Sequence, residues 1–296
     1  MLDRINGMYF HEERISRCQN YLDALVDAEC RKLMVNWYFA AVGSLGLSKE
    51  TAWVAVSILD RYISSGNGMS PEACRHGQTF QLSAVTSFYM TVKIREPSVL
   101  GIKQLVQMGR GLYTENDVIA MELDILSALE WRVYLSTATP MEYVRHYLQL
   151  LPELVDVADI ILDIAERHMV KAASDIFFSS CKSSLVGLAC LAGALDCIIV
   201  LSTSDKVALW NQLSVTLDWD FTSNGFEQVA QKLLKHKTSN CESWRPSLAS
   251  SVLAGDQCSR KRIAGSGRER SELLLRQMRT MVTSSARRLE IGGITT

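Results

Sequence analysis

Residues 80–94 read Phe-Gln-Leu-Ser-Ala-Val-Thr-Ser-Phe-Tyr-Met-Thr-Val-Lys-Ile, a stretch that is apolar or small on every helical face. A helix of that composition has no side to give to water and must be enclosed by other helices. Ser83, Ala84, Thr86 and Ser87 are small enough to let neighbours come close, and Phe88, Tyr89, Met90 and Val92 fill the space between them. Its one ionisable side chain is Lys93. An ammonium at the end of a buried helix either reaches solvent along its flexible stem or is kept for a partner. The stretch is the expected axle of a helical domain.

Around it the composition is that of a soluble globular protein: 296 residues, 48% hydrophobic and 21% charged. Five prolines are few for this length, which favours helices over a turn-rich β protein. No apolar run reaches the roughly 18 residues of a membrane span, and charged residues stand where a signal peptide would need its apolar core. An intracellular chain without a membrane segment is expected. The eight cysteines form no Cys-x-x-Cys pair and have no histidine at zinc-ligand spacing, so reduced thiols and no metal or cofactor are expected. Residues 237–296 carry 11 Lys or Arg against 5 Asp or Glu, whereas residues 1–236 carry 20 against 27. An acidic body disfavours nucleic-acid binding by the folded part.

Helical spacing repeats on both sides of the axle. Ile15, Cys18, Leu22, Leu25 and Val26 predict an amphipathic first helix over 11–28. Helices follow over about 31–45 and 48–63, then a Ser-Ser-Gly-Asn-Gly loop from 64 extending to about 77. After the axle, Ser98 can cap a short helix, and Thr114 with Asp117 forms a capping-box pattern opening a helix to about 129. The pattern then restarts at Thr139-Pro140-Met141-Glu142, a strong N-terminus signal. Helices are expected over about 139–151, 154–173, 180–200 and 205–213, with a last one capped by Asn224 and running through 234. Five helices recur with the buried one again third, so the chain reads as two copies of one unit, 1–135 and 136–236. Residues 237–296 read as a basic, disordered tail with room for one helix near 271–282.

Enzyme signatures are missing: no Walker loop, no dinucleotide glycine motif, no His-Glu-x-x-His and no Gly-x-Ser-x-Gly. Ser179-x-x-Lys182 matches the Ser-x-x-Lys of penicillin-recognising enzymes, but its partner motifs are absent and capping of the next helix accounts for Ser179 or Ser180. More informative are charges in apolar company. Asp60 lies among Ile58, Leu59, Tyr62 and Ile63, where an unpaired carboxylate would cost several kcal/mol, and Arg31 at the head of the second helix is the expected partner.

Four segments, Arg31-Lys32-Leu33-Met34-Val35-Asn36-Trp37, Ile58-Leu59-Asp60-Arg61-Tyr62-Ile63-Ser64, Val92-Lys93-Ile94-Arg95-Glu96 and Met121-Glu122-Leu123-Asp124-Ile125-Leu126, resemble the cyclin box in order and spacing. The Arg-Lys start is similar to D-type cyclins. The resemblance is specific over about 12–135 and rests on helix pattern over 136–236. It implies an all-α protein of two tandem five-helix cyclin folds that has no active site of its own. Such a chain would bind and activate a cyclin-dependent Ser/Thr kinase in cell-cycle control. By resemblance, Arg31 and Asp60 form a buried structural ion pair. Lys93 and Glu122 would reach main-chain groups around the kinase's regulatory helix, with apolar support from Ile94, Leu123 and Leu126. Lys93 supplies donors and Glu122 acceptors, which together can satisfy a helix terminus. Cys30, Leu33, Trp37 and Gln81 occupy the places of a docking patch for substrates or inhibitors. Cys30 is smaller than the usual Met, and Ala40 stands where many cyclins have a Glu, which implies weaker or different selectivity. The alternative is a cyclin-fold transcription or adaptor protein; those carry a zinc ribbon and a basic DNA-facing surface, which this sequence lacks. Arg260-Lys261-Arg262 is compatible with a nuclear address, so a nuclear chain, also present in the cytoplasm, is expected.

Overall fold

In the computed structural model, residues 1–14, 28–96, 100–109, 112–133, 138–219 and 225–235 are described. Those residues form helices and turns, with no strand among them. In chain order the helices are α1 (Leu2–Glu13), α2 (Ala28–Leu45), α3 (Lys49–Ser65), α4 (Ser70–Ala73), α5 (Gly77–Arg95), α6 (Ile102–Gly109) and α7 (Glu115–Ala128). They continue with α8 (Pro140–Gln149), α9 (Ala158–Ser174), α10 (Ser183–Cys197), α11 (Thr203–Leu217) and α12 (Phe226–Lys235), with short 3-10 turns at Pro152–Val157 and Ile176–Ser180.

The axle is α5. Every residue from 83 to 92 is buried, and α2, α3, α4 and α7 pack around it. Three of its hydroxyls are satisfied within the helix: Ser83, Ser87 and Thr91 each donate at 2.8 Å to the carbonyl four residues back, whereas the buried Thr86 hydroxyl has no hydrogen-bond partner among the described residues. Tyr38 and Phe88 stack at 5.6 Å, and the Tyr38 hydroxyl donates to the Ala84 carbonyl at 2.7 Å. In the later half α10 has the same role, enclosed by α8, α9 and α12.

Local signals set the helix ends. Ser48 accepts from the Glu50 amide to start α3, which stops at Gly66 in the left-handed region at φ 67°. Thr114 and Asp117 form a reciprocal capping box on α7, and Thr139 caps α8 with Pro140 in its first turn.

Several expected boundaries differ. A helix not expected from the sequence spans Leu2–Glu13, and the helix expected over 11–28 falls mainly on residues 15–27, which lie outside the described residues, as do Ser98, Asn224 and the segment 237–296. Ile5 of α1 is fully buried, and Tyr9 stacks on Tyr143 and Trp219, so tertiary contacts stabilise a helix with little periodicity of its own. The 64–77 loop contains α4, where Pro71 suits the first turn and Ala73 is buried. A Ser202–Asp205 capping box starts α11, which runs on to Leu217. Neither Ser179 nor Ser180 caps α10. Their hydroxyls bond back to the Ile176 and Phe177 carbonyls, and the α10 terminus is served by Glu12 of α1, which accepts from the Ser184 amide at 2.9 Å and its hydroxyl at 2.5 Å.

Candidate functional site

The last turn of α5 brings Lys93 out of the core. Its ammonium lies 2.6 Å from the Glu122 carboxylate on α7 and 4.9 Å from the Tyr89 ring centroid. Glu122 is placed by the way α7 seats: Val118, Met121 and Ile125 are buried, which turns Ile119 and Leu123 outward, 47% and 53% exposed. Ile94 and Leu126 are half-buried and pack against the core. The result is a charged pair at the edge of an apolar helix face. Lys93 donates, Glu122 accepts, and exposed aliphatic carbon lies beside them.

Asp124, on the other side of that face, was not singled out by sequence reasoning. Its carboxylate accepts from the Tyr62 hydroxyl at 2.5 Å and from the Met69 amide at 2.9 Å. Burial, with the hydrogen bond and negative charge of Asp124 added, raises the Tyr62 hydroxyl's pKa well above its ordinary value. Sequence offers no distinct signal for Asp124, because Glu115, Asp117 and Glu122 are carboxylates of the same helix.

Arg31 and Asp60 form a bidentate pair at 2.8 and 2.7 Å, both nearly inaccessible to solvent. The remaining guanidinium nitrogen donates to the Ala173 carbonyl at 2.8 Å, so the pair ties α2 and α3 to the end of α9. Of the docking-patch residues, Cys30, Leu33 and Gln81 are half-exposed, but Trp37 is completely buried. Its ring meets Phe88 edge-on at 5.2 Å, because the close approach of α2 to α5 draws it into the aromatic cluster. Its indole side is therefore unavailable to a ligand in this conformation. Gln81 is twelve residues before Lys93 on the same helix, about 18 Å along its axis, so the two residue sets are separate. Lys182 pairs with Glu13, not with Ser179. Among the described residues no cluster of His, Cys, Asp or Glu could hold a metal ion, and no helix is long and apolar enough to cross a membrane.

The family model described as "Cyclin, N-terminal domain" matches residues 3–134, which run from α1 through α7 and carry Arg31, Asp60, Lys93 and Glu122. Residues 3–134 are a cyclin N-terminal domain. The chain is 27% identical over 207 residues to the G2/mitotic-specific cyclin-2 of Antirrhinum majus, covering 69% of this chain and 43% of that cyclin. It is 26% identical over 192 residues to the G1/S-specific cyclin-D1 of Xenopus laevis, covering 63% and 61%. The two subtypes match to a similar degree, so the likeness is to cyclins in general and not to one subtype. In both comparisons the chain spans less than two thirds of the relative's length. A viral cyclin from herpesvirus saimiri superposes with a TM-score of 0.60 at 19% identity, over 77% of this chain and 95% of the viral one. That likeness of fold extends past the residues matched by the family model.

Proposed function

We propose that this chain is the regulatory subunit of a cyclin-dependent Ser/Thr protein kinase, which it binds and activates through Lys93, Glu122, Ile94, Leu123 and Leu126. The observation that carries the reading is the Lys93–Glu122 pair at 2.6 Å beside the exposed face of α7, within a cyclin domain. Kinase catalysis needs a Lys–Glu ion pair that forms only when the regulatory helix is correctly placed. A rigid helical face that binds the placed conformation more tightly raises its population by that difference in affinity. Exposed Leu123 and Ile119 would bury apolar area, while Lys93 and Glu122 exchange their mutual bond for backbone groups of the partner. Control of cell division in the nucleus is the proposed setting. The proposed organisation is a cyclin box over 1–135, a second cyclin fold over 136–236 and a basic tail over 237–296. Kinase substrates or inhibitors would use the surface around Cys30, Leu33 and Gln81.

The test is titration of the purified chain into a panel of purified cyclin-dependent kinases, followed by assay for phosphoryl transfer. Wild type is expected to bind and activate at least one kinase, and Lys93→Glu with Glu122→Lys to lose both effects while unfolding at an unchanged temperature. Equal behaviour of the two proteins with every kinase would overturn the reading.

A further inference from the structure

The exposed face of α7 has two edges, and the Lys93–Glu122 pair occupies only one. Successive residues turn by about 100° around a helix, so Leu123 lies between Glu122 and Asp124, with Ile119 on the same stripe. At the Asp124 edge stands the turn that connects α3 to α4. It is held from several sides: Asp124 accepts from the Met69 amide at 2.9 Å, and the Ser65 hydroxyl donates to the Tyr62 carbonyl at 2.7 Å and accepts from the Asn67 amide at 3.2 Å. Just after the turn, Ser70 and Ala73 are buried. Gly68 is required there for two reasons. Its φ is 59°, in the left-handed region, and a Cβ would run into the Asp124 carboxylate. The held turn nevertheless presents a large apolar side chain to solvent, Met69 at 45% exposure.

Resting on the proposed kinase-binding reading, we propose that this 66–69 turn is a second contact edge of the same face, with Met69 touching the partner kinase across the α7 stripe from Lys93. A partner helix is 10–12 Å across, wide enough to be seated on Ile119 and Leu123 and flanked on both sides. Lys93 and Glu122 on one side match the polar end of such a helix, and a thioether on the other adapts to its apolar flank. The occupant is therefore a helix of the kinase already invoked. Fixing the turn in advance removes the cost of ordering it on binding.

The experiment measures affinity of the full chain for each member of the purified kinase panel by calorimetry, alongside hydrogen exchange with and without kinase. Met69→Asp is expected to weaken binding at least tenfold, and Met69→Ala about threefold, with unfolding temperatures unchanged. The amides of residues 66–69 should gain protection in the complex. Gly68→Ala, which displaces the turn without altering Met69, should weaken binding in the same direction. If Lys93→Glu with Glu122→Lys abolishes binding while both Met69 variants bind as wild type and residues 66–69 gain no protection, this inference is wrong and the kinase reading stands. If the charge-reversed chain binds like wild type, or no kinase in the panel binds, the kinase reading itself is overturned and the second edge with it.

Discussion

The buried helices α5 and α10 lose their solvent faces by different means. In α5, hydroxyls bond back to their own helix and aromatic rings of α2 fill the space around it. In α10 the approach is closer and the residues smaller: Gly187 lies against α8 so tightly that a Cβ would stand 2.6 Å from the Pro140 carbonyl oxygen. Their ends differ more. The α5 helix ends in Lys93, beside a carboxylate of the neighbouring helix, whereas α10 runs into Ile198, buried, and then Ile199 and Val200, 82% and 84% exposed. Burial alone makes an axle. The proposed binding face needs charge emerging from that axle next to exposed carbon, an arrangement found at Lys93 of α5.

The largest expected effect breaks the link between the halves. Asp60→Ala leaves Arg31 buried with only the Ala173 carbonyl of the partners described above, and should cost about 3–5 kcal/mol in urea unfolding. Arg31→Met with Asp60→Leu should recover most of that loss, because the charges leave together. A double variant as unstable as Asp60→Ala would mean that the pair contributes more than mutual compensation. Next in size, Gly187→Ala should cost about 1–3 kcal/mol through overpacking against α8. Addition of one methyl group at an α5 hydroxyl residue, Ser87→Thr, tests whether the hydroxyl-lined axle is the more tolerant of the two. A smaller loss for Gly187→Ala than for Ser87→Thr would reverse that reading of the packing.

The N-terminal helix sharpens the comparison further, since it docks on the α10 side. Glu12→Ala removes the acceptor from the α10 terminus and should cost about 1 kcal/mol, in the range of other lost caps. Burial raises the Glu12 pKa above its ordinary 4.5, against the lowering effect of the Ser184 bonds and Lys182. The folded state therefore takes up this proton before the unfolded state does. As pH falls from neutral toward 4.5 the Glu12 contribution to stability grows, and above the folded pKa the buried charge is a penalty. Wild type should gain on Glu12→Gln over that window in thermal unfolding; a difference that is flat or of opposite slope would remove the burial argument. Smallest of all is Lys93→Ala. The pair it breaks is part-exposed, so stability should change by less than about 1 kcal/mol even if kinase binding is lost.

Much of the fold was legible because its signals are local. Residues 80–94 show their enclosure in composition alone, and Thr114, Thr139 and Ser48 mark helix starts through side chains that reach amides two or three residues on. The Arg31–Asp60 pair was also legible, since a carboxylate among Ile58, Leu59 and Tyr62 demands a cation. Helix α1 was not read from the sequence because Leu2–Glu13 owes its order to Tyr143, Trp219 and Ser184, residues more than a hundred positions away. Trp37 was expected in a docking patch by resemblance to cyclins, and only the approach of α5 shows that its ring is enclosed.

By itself, the amino-acid sequence determined the helical class, the buried axle, the helix starts and the charged residues that needed partners. These follow from side-chain size, polarity and spacing within a few turns of chain. Tertiary structure alone decided which of those side chains meet. The seating of α7 sets Glu122 against Lys93 and turns Leu123 and Ile119 outward, and Asp124 reaches back to hold the turn carrying Met69. Such contacts depend on the rotation and separation of packed helices, which are set by the whole core rather than by any one segment.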